Sequence, residues 1–117
     1  MSIQLCCAHI QEVEKKSGVY QIYSRARGEV YIGSTKNLNK RFRDHLRRLI
    51  KGNHPNYKLQ KCFDRRQILF FRVVVFCGQG ILQRIEQEAL DRQKNNKHCL
   101  NRVRTAAHNV GRERCLK

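Results

Sequence analysis

The chain has 117 residues, a length that suits one domain around a single core. Hydrophobic residues make up 40% of it, which argues against disorder, and no apolar run reaches the roughly eighteen residues that a membrane-spanning helix needs. Lys and Arg number 25 against 9 Asp and Glu, and the resulting net charge of +16 predicts a polyanionic partner, most commonly nucleic acid.

Two strands are predicted near the start of the chain. Residues 1–16 show no pattern beyond a short helix and are taken as an N-terminal extension. Gly18–Tyr23 is rich in aromatic and β-branched residues and predicts a strand, and Val30–Gly33 predicts a second one. The residues between them include Gly28 and predict a turn, so the two strands should pair as an antiparallel hairpin.

The next segment changes to a helical period. Apolar residues recur at spacings of three and four from Leu38 to Ile50, with Asn37 as the expected N-cap and Gly52 beyond the last turn. A shorter helix is predicted over residues 56–63. Two helices in succession therefore follow the hairpin.

The second half of the chain contains the most apolar strand. Ile68–Phe76 reads ILFFRVVVF, which predicts a central strand covered on both faces, and a further helix is expected from Ile81 to about Lys94. The order of elements predicts an α/β fold, a three-stranded antiparallel sheet flanked by helices. Residues 106–117 form a basic C-terminal tail.

The six cysteines include no Cys-x-x-Cys pair, and the first residues lack the pattern of a secretory signal. We therefore expect reduced thiols and an intracellular protein, in the cytoplasm, the nucleus or an organelle. The alternative is a zinc-stabilised binding domain, because Cys6, Cys7 and His9 near the start and His98 and Cys99 near the end could supply four soft ligands.

Two tripeptides and their spacing carry the strongest functional signal. Gly18–Tyr20, GVY, is followed after ten residues by Tyr31–Gly33, YIG. Arg41 stands eight residues after the second tripeptide, inside the predicted helix, and His45 follows it by four. Glu88 lies in the last predicted helix. This pattern resembles the GIY-YIG nucleases, with Val in place of Ile in the first motif.

The resemblance extends over about residues 17–105. Asn101 stands where the family often has an Asn beyond its last helix, and Asn53–Phe63, NHPNYKLQKCF, is similar to the homing-endonuclease branch. The resemblance implies a metal-dependent endonuclease that hydrolyses phosphodiester bonds in DNA, similar to homing or restriction endonucleases. Homing endonucleases also carry a separate DNA-binding region, so a further region or a partner protein is expected; no pattern in the sequence sets an oligomeric state.

The resemblance also assigns catalytic roles. It implies that Glu88 holds one Mg²⁺ or Mn²⁺, that Tyr20 assists the attacking water, that Tyr31 or His45 relays the proton, and that Arg41 binds the phosphate. These residue types suit the chemistry, because phosphodiester hydrolysis needs an activated water, a cation on the phosphate and a proton carrier. Supporting roles are implied for Gly33, which keeps space open for substrate, and for Asn101 and His54.

Each catalytic assignment has a structural alternative. Tyr20 and Tyr31 could simply pack against each other across the hairpin, and Arg41 and His45 could belong to a solvated helix surface. The two helical residues do fall at one edge of the apolar stripe, adjacent to each other at i and i+4.

The metal ligand also has a competitor within its own helix. Glu86 and Glu88 border the apolar stripe on opposite sides, so periodicity does not separate them. The resemblance favours the second, because the family's helix often reads Glu-x-Glu with the second Glu as ligand.

A dense basic segment supports a nucleic-acid partner. Residues 36–66 contain eleven Lys and Arg against two Asp, a charge of +9, which predicts a track for phosphates. An anionic membrane surface is the rival partner, but it favours one basic amphipathic helix rather than several basic segments. A non-catalytic nucleic-acid-binding module, ribosomal or ribonucleoprotein, is the alternative function. The predicted DNA-binding lysines are Lys36, Lys40, Lys51, Lys58 and Lys61.

Overall fold

One antiparallel sheet packs against three α-helices in the part of the chain that the structure describes. The computed structural model describes residues 2–101. Its strands and helices, in chain order, are β1 Ser2–Gln4, β2 Gly18–Ser24, β3 Glu29–Thr35, α1 Leu38–Lys51, α2 Tyr57–Asp64, β4 Phe70–Phe76 and α3 Leu82–Arg92.

The sheet has four strands in the order β1-β4-β2-β3, not the three predicted, although its antiparallel pairing is as expected. The additional strand comes from the segment taken as an N-terminal extension, where Ile3 pairs with Phe71 of β4. Three residues are too short to show a periodic pattern. The short helix expected in this segment is a 3-10 helix, Cys7–Glu12.

Helices cover both faces of the sheet. Side chains alternate between the two faces of a strand. Tyr20 and Ile22 of β2 therefore face α1 and α2, whereas the preceding Val19 faces α3. The core on the first face includes Phe42 and Leu46 of α1. Both faces of β2 are therefore covered, and so are those of β3, where Tyr31 lies in the first core and Val30 and Ile32 lie in the second.

The strand that was expected to be covered on both faces, β4, is covered only in part. Val75 and Phe76 at its end are 39% and 46% exposed. The reason is the position of α3, which packs over β3 and β2 and leaves the end of β4 uncovered. An apolar run alone does not reveal which strand a helix will cross.

The cap residues predicted from the sequence mark the beginning and the end of α1. Asn37 accepts a hydrogen bond from the Lys40 backbone N–H at 3.1 Å, and Gly52 adopts the left-handed conformation with φ 79°. Asn56 caps α2 in the same way through the Leu59 N–H. Among residues 2–101, no helix has the length and apolar character needed to span a bilayer.

The predicted zinc ligands lie in different parts of the fold. Cys6 contacts His9 at 3.1 Å beside the 3-10 helix, on the α1 side of the sheet, whereas Cys99 is buried under α3. Within the described residues, no three His, Cys, Asp or Glu side chains come together as a metal site. The five described cysteines are free thiols. The zinc-stabilised alternative therefore has no support in this part of the chain.

The segment after α3 is fastened to the outer edge of β3 by one side chain and by backbone hydrogen bonds at Val30. Asn101 accepts a hydrogen bond from the Ile32 N–H and donates one to the Ile32 carbonyl, both at 2.8 Å. The same segment forms a parallel bridge between Val30 and Cys99. Asn101 thus holds the strand directly between Tyr31 and Gly33. Residues 102–117, with the predicted basic tail, lie outside the described residues.

We expect Asn101→Asp to destabilise the fold by about 2 kcal/mol, because it removes the donor to Ile32 and buries a carboxylate against a carbonyl oxygen. Urea unfolding followed by circular dichroism measures this loss. The matched control is Asn96→Asp, which makes the same change at a less buried position of the segment that follows α3. Equal stabilities for the two variants would contradict the fastening role of Asn101.

Candidate active site

A cleft of about 1050 Å³ opens where β2, β3, α1 and α3 meet. Its floor is formed by Tyr20 and Tyr31, one wall by α1, and the opposite wall by the start of α3. Arg41 and His45 project from α1 into this cleft, as their shared helix edge predicted. Four of the five predicted catalytic residues therefore lie together.

The floor of the cleft contains a buried chain of polar groups. Tyr20 Oη lies 2.6 Å from His45 Nε2, and His45 Nδ1 lies 2.8 Å from His54 Nε2. The Asn56 backbone N–H donates to His54 Nδ1 at 3.0 Å. Tyr20, His45 and His54 are all nearly inaccessible to solvent. His54, for which the resemblance implied a supporting role, is thus connected to the tyrosine through His45.

Both histidines are neutral near pH 7. Burial lowers the pKa of His45 well below its ordinary value, and His54, Arg41 and Arg48 lower it further. Burial and then the charge of Arg48 lower the pKa of His54 to about 4, although the hydrogen bond from the Asn56 backbone acts in the opposite direction. Burial, assisted by the cations lining the cleft, therefore prevents each imidazole from taking up a second proton.

Of the two glutamates considered in α3, Glu86 lines the cleft and Glu88 does not. Glu86 is 3% exposed, lines the cleft and accepts a hydrogen bond from the Ser34 hydroxyl at 2.5 Å. Glu88 is exposed and is not among the described residues that line the cleft. The buried side of α3 contains Leu82, Glu86, Ala89 and Leu90. Glu88 follows Glu86 by two residues, a rotation of about 200° around the helix, so its side chain points away from the cleft.

The choice between the two glutamates depends on which edge of α3 faces the cleft. That edge is set by the packing of α3 against β3. The spacing of apolar residues along the helix does not predict this packing. Ser34, which follows the YIG motif on β3, was not singled out from the sequence. It positions Glu86 by donating to its carboxylate.

Gly33 lies directly opposite Tyr20 in the β2–β3 pair. A Cβ at this position would collide with the Tyr20 hydroxyl and ring carbons, at distances that real Cβ contacts do not show. Both neighbours belong to paired strands, so the backbone has little room to give. Gly33 is thus required by the tyrosine hydroxyl itself, which refines the expected role of leaving space for substrate.

Two of the five predicted DNA-binding lysines line the cleft. Lys36 and Lys51 stand at its rim, whereas Lys40, Lys58 and Lys61 lie outside the described lining. Lys40 pairs with Asp44 at 3.0 Å, and Lys61 lies over the Tyr57 ring.

Two arginines of α1, Arg47 and Arg48, also line the cleft and were not singled out. Arg48 follows Arg41 by seven residues, a helical spacing that could have identified it. Asp44 lines the cleft as well, paired with Arg47 at 3.1 Å. The wall formed by α1 is therefore strongly basic.

Comparison with known proteins assigns this geometry to a family. The model of the GIY-YIG catalytic domain matches residues 16–98. The chain belongs to the GIY-YIG family. A curated relative, intron-associated endonuclease 1 of Enterobacteria phage T4, is 42% identical over 55 residues, which cover 47% of this chain and 22% of the relative. The chain thus matches less than a quarter of that protein's length.

Two solved structures share the GIY-YIG fold described above. The catalytic domain of homing endonuclease I-TevI aligns with a TM-score of 0.66 and 25% identity, over 75% of this chain and 99% of that one. A variant of the same domain with one glutamate replaced by alanine aligns with a TM-score of 0.68 and 25% identity, over 77% and 96%. The resemblance seen in the two tripeptides is confirmed.

In this GIY-YIG cleft, Gly33→Ala should displace the Tyr20 hydroxyl from His45. Because misplacement of a reacting group by about 1 Å costs on the order of 100-fold in rate, we expect a comparable loss in a nuclease assay. The control is Gly78→Ala, since a Cβ there meets nothing within 4 Å and the backbone is extended. Full activity in Gly33→Ala would show that the tyrosine position is not critical.

Proposed function

We propose that the protein is a metal-dependent endonuclease that hydrolyses phosphodiester bonds in DNA. One observation carries this proposal: Tyr20, Arg41, His45 and Glu86 converge on a single cleft with a basic rim. The relatives named above are described as an intron-associated endonuclease and a homing endonuclease, which supports the same activity. A homing or restriction role for the whole protein is part of the proposal.

A polyanionic substrate fits the charge of the cleft. The wall of α1 presents Arg41, Arg47, Arg48 and Lys51 to the same space, and the net charge of the chain is +16. Arginine forks match phosphate oxygens in pairs, and a concave basic surface concentrates polyanions. The site is therefore suited to a nucleic-acid backbone rather than to a small neutral substrate.

The donor groups of the cleft fit one hard divalent cation. Glu86 and Asp44 are the carboxylates among the described lining residues, and Asp44 is already paired with Lys40 and Arg47. Glu86 would hold the ion, because Mg²⁺ takes one or two carboxylates and keeps several waters. When bound, Mg²⁺ or Mn²⁺ polarises the phosphate and stabilises the leaving oxygen.

The chain's own groups supply the remaining functions. We assign to Tyr20 Oη the assistance of the attacking water and to Arg41 the binding of the phosphate as its negative charge grows, since both side chains line the cleft. Tyr31 forms the other half of the floor and meets the His45 ring edge-on, with ring centroids 5.6 Å apart. Asn101 acts at a distance, by holding β3 at Ile32.

Glu86→Gln should reduce cleavage of supercoiled plasmid in Mg²⁺ by at least about 100-fold and leave DNA binding intact, because the amide keeps the bond to Ser34 and loses the anionic ligand. Glu88→Gln is the matched control, two residues away and exposed, and should cut at the wild-type rate. Gel analysis with and without a chelator measures both.

Three outcomes would contradict parts of this proposal. Loss of cleavage in Glu88→Gln alone would return the metal to the residue chosen from the sequence. Cleavage that persists in chelator would exclude a divalent cation. Tight binding without cleavage under all metal conditions would favour the non-catalytic nucleic-acid-binding module.

The basic rim gives a second prediction, on salt dependence. Each lysine that neutralises one phosphate contributes about 0.9 to the slope of log affinity against log salt. Lys36→Gln with Lys51→Gln, at the cleft, should therefore lower the slope by about two units. Lys58→Gln with Lys61→Gln removes the same charge outside the cleft and should change it by less than one. Equal effects would place the DNA track on the whole basic segment.

A further inference from the structure

The hydrogen bonds beneath Tyr20 have a direction that the backbone sets. A peptide N–H can only donate, so the Asn56 N–H requires a lone pair on His54 Nδ1, 3.0 Å away. A neutral imidazole carries one N–H and one lone pair. The proton of His54 therefore resides on Nε2.

The same reasoning transfers the direction to His45. His54 Nε2–H faces His45 Nδ1 at 2.8 Å, so His45 accepts at Nδ1 and carries its own proton on Nε2. That proton faces Tyr20 Oη at 2.6 Å. Burial and nearby arginines keep both rings neutral, which is the condition that this assignment needs.

Ring geometry supports an in-plane hydrogen bond between the two histidines. Their planes differ by 15° and their centroids are 5.0 Å apart, whereas the two nitrogens are 2.8 Å apart, so the rings meet edge to edge. The opposite direction would bring His54 Nδ1–H against the Asn56 N–H. Two buried donors would then face each other, which costs about 1–3 kcal/mol for each unsatisfied group.

We propose that His54 is a positioning residue that fixes His45 as a hydrogen-bond donor to the Tyr20 oxygen. A donor at this oxygen stabilises negative charge on it, and the Tyr20 hydroxyl proton is directed away from His45. His45 in this form has no lone pair toward the tyrosine, so it does not take a proton from it. The tautomer assignment is independent of the proposed function; the expected effect on cleavage rests on it, because it requires that Tyr20 takes part in the reaction.

The tautomers themselves are the first test. In ¹⁵N-labelled protein at neutral pH, long-range ¹H–¹⁵N correlation spectra separate protonated from unprotonated ring nitrogens, and single His→Gln variants assign the signals. We expect the Nε2–H form for both His45 and His54. The Nδ1–H form at His45 in the wild type would overturn the proposal.

Two variants separate positioning from packing. His54→Gln keeps an amide donor near His45 Nδ1 and an acceptor for the Asn56 N–H, so it should retain the Nε2–H form of His45 and most of the cleavage rate. His54→Leu keeps the volume and loses both groups. We expect a mixture of His45 tautomers and a loss in kcat on the order of 100-fold or more, with DNA affinity unchanged.

The outcomes distinguish this proposal from the nuclease activity. Folded His54→Leu protein that keeps the Nε2–H form, or cuts as fast as His54→Gln, overturns the positioning role. If His54→Leu does not fold, the tautomers of the wild type and of His54→Gln decide. The spectra need no DNA, so a protein with the expected tautomers and no cleavage would refute the proposed function alone.

Discussion

A buried phenol hydroxyl is the constraint on which the site depends. Tyr20 lies on β2, which helices cover on both faces, and its side chain is fully buried. A hydroxyl in that position needs a polar partner, since an unsatisfied buried group costs as much as several packing contacts gain. His45 supplies it, which fixes the face of α1 that packs on the sheet and brings Arg41 into the cleft.

The same hydroxyl limits its neighbours on the sheet. Opposite Tyr20 only a glycine leaves the required space, and the Tyr20 ring stacks on Phe71 at 4.9 Å behind it. The tyrosine is thus held by both neighbouring strands and by α1. Its oxygen can be placed with little freedom, which is the condition for efficient proton transfer to or from water.

Features set by local chemistry could be predicted from the sequence. The hairpin follows from β-branched and aromatic residues around a turn, and α1 follows from its apolar period with Asn37 and Gly52 at its ends. The first strand could not be predicted, because its three residues acquire a partner only through Phe71 and its neighbours. Its stability comes from a pairing some seventy residues away in the chain.

The site shows the same division. The tripeptides and the i, i+4 spacing in α1 were sufficient to group Tyr20, Tyr31, Arg41 and His45. The sequence did not separate Glu86 from Glu88, because both border the same stripe, and the packing of α3 against β3 decides which of them lines the cleft. Likewise, charge density along the chain did not show which lysines face the cleft, since that depends on how α1 and α2 turn against the sheet.

The bond between Asn101 and Ile32 bears on when the site is completed during synthesis. It joins residues 69 positions apart, and ribosomes add residues from the N-terminus at about 5–20 per second. A nascent chain that ends before residue 101 leaves the Ile32 backbone without this partner, so the edge beside the YIG motif closes only after the helix bearing Glu86 has been made. The contact that fixes this edge therefore becomes available later in synthesis than the contacts of the hairpin, because it joins residues far apart in the chain.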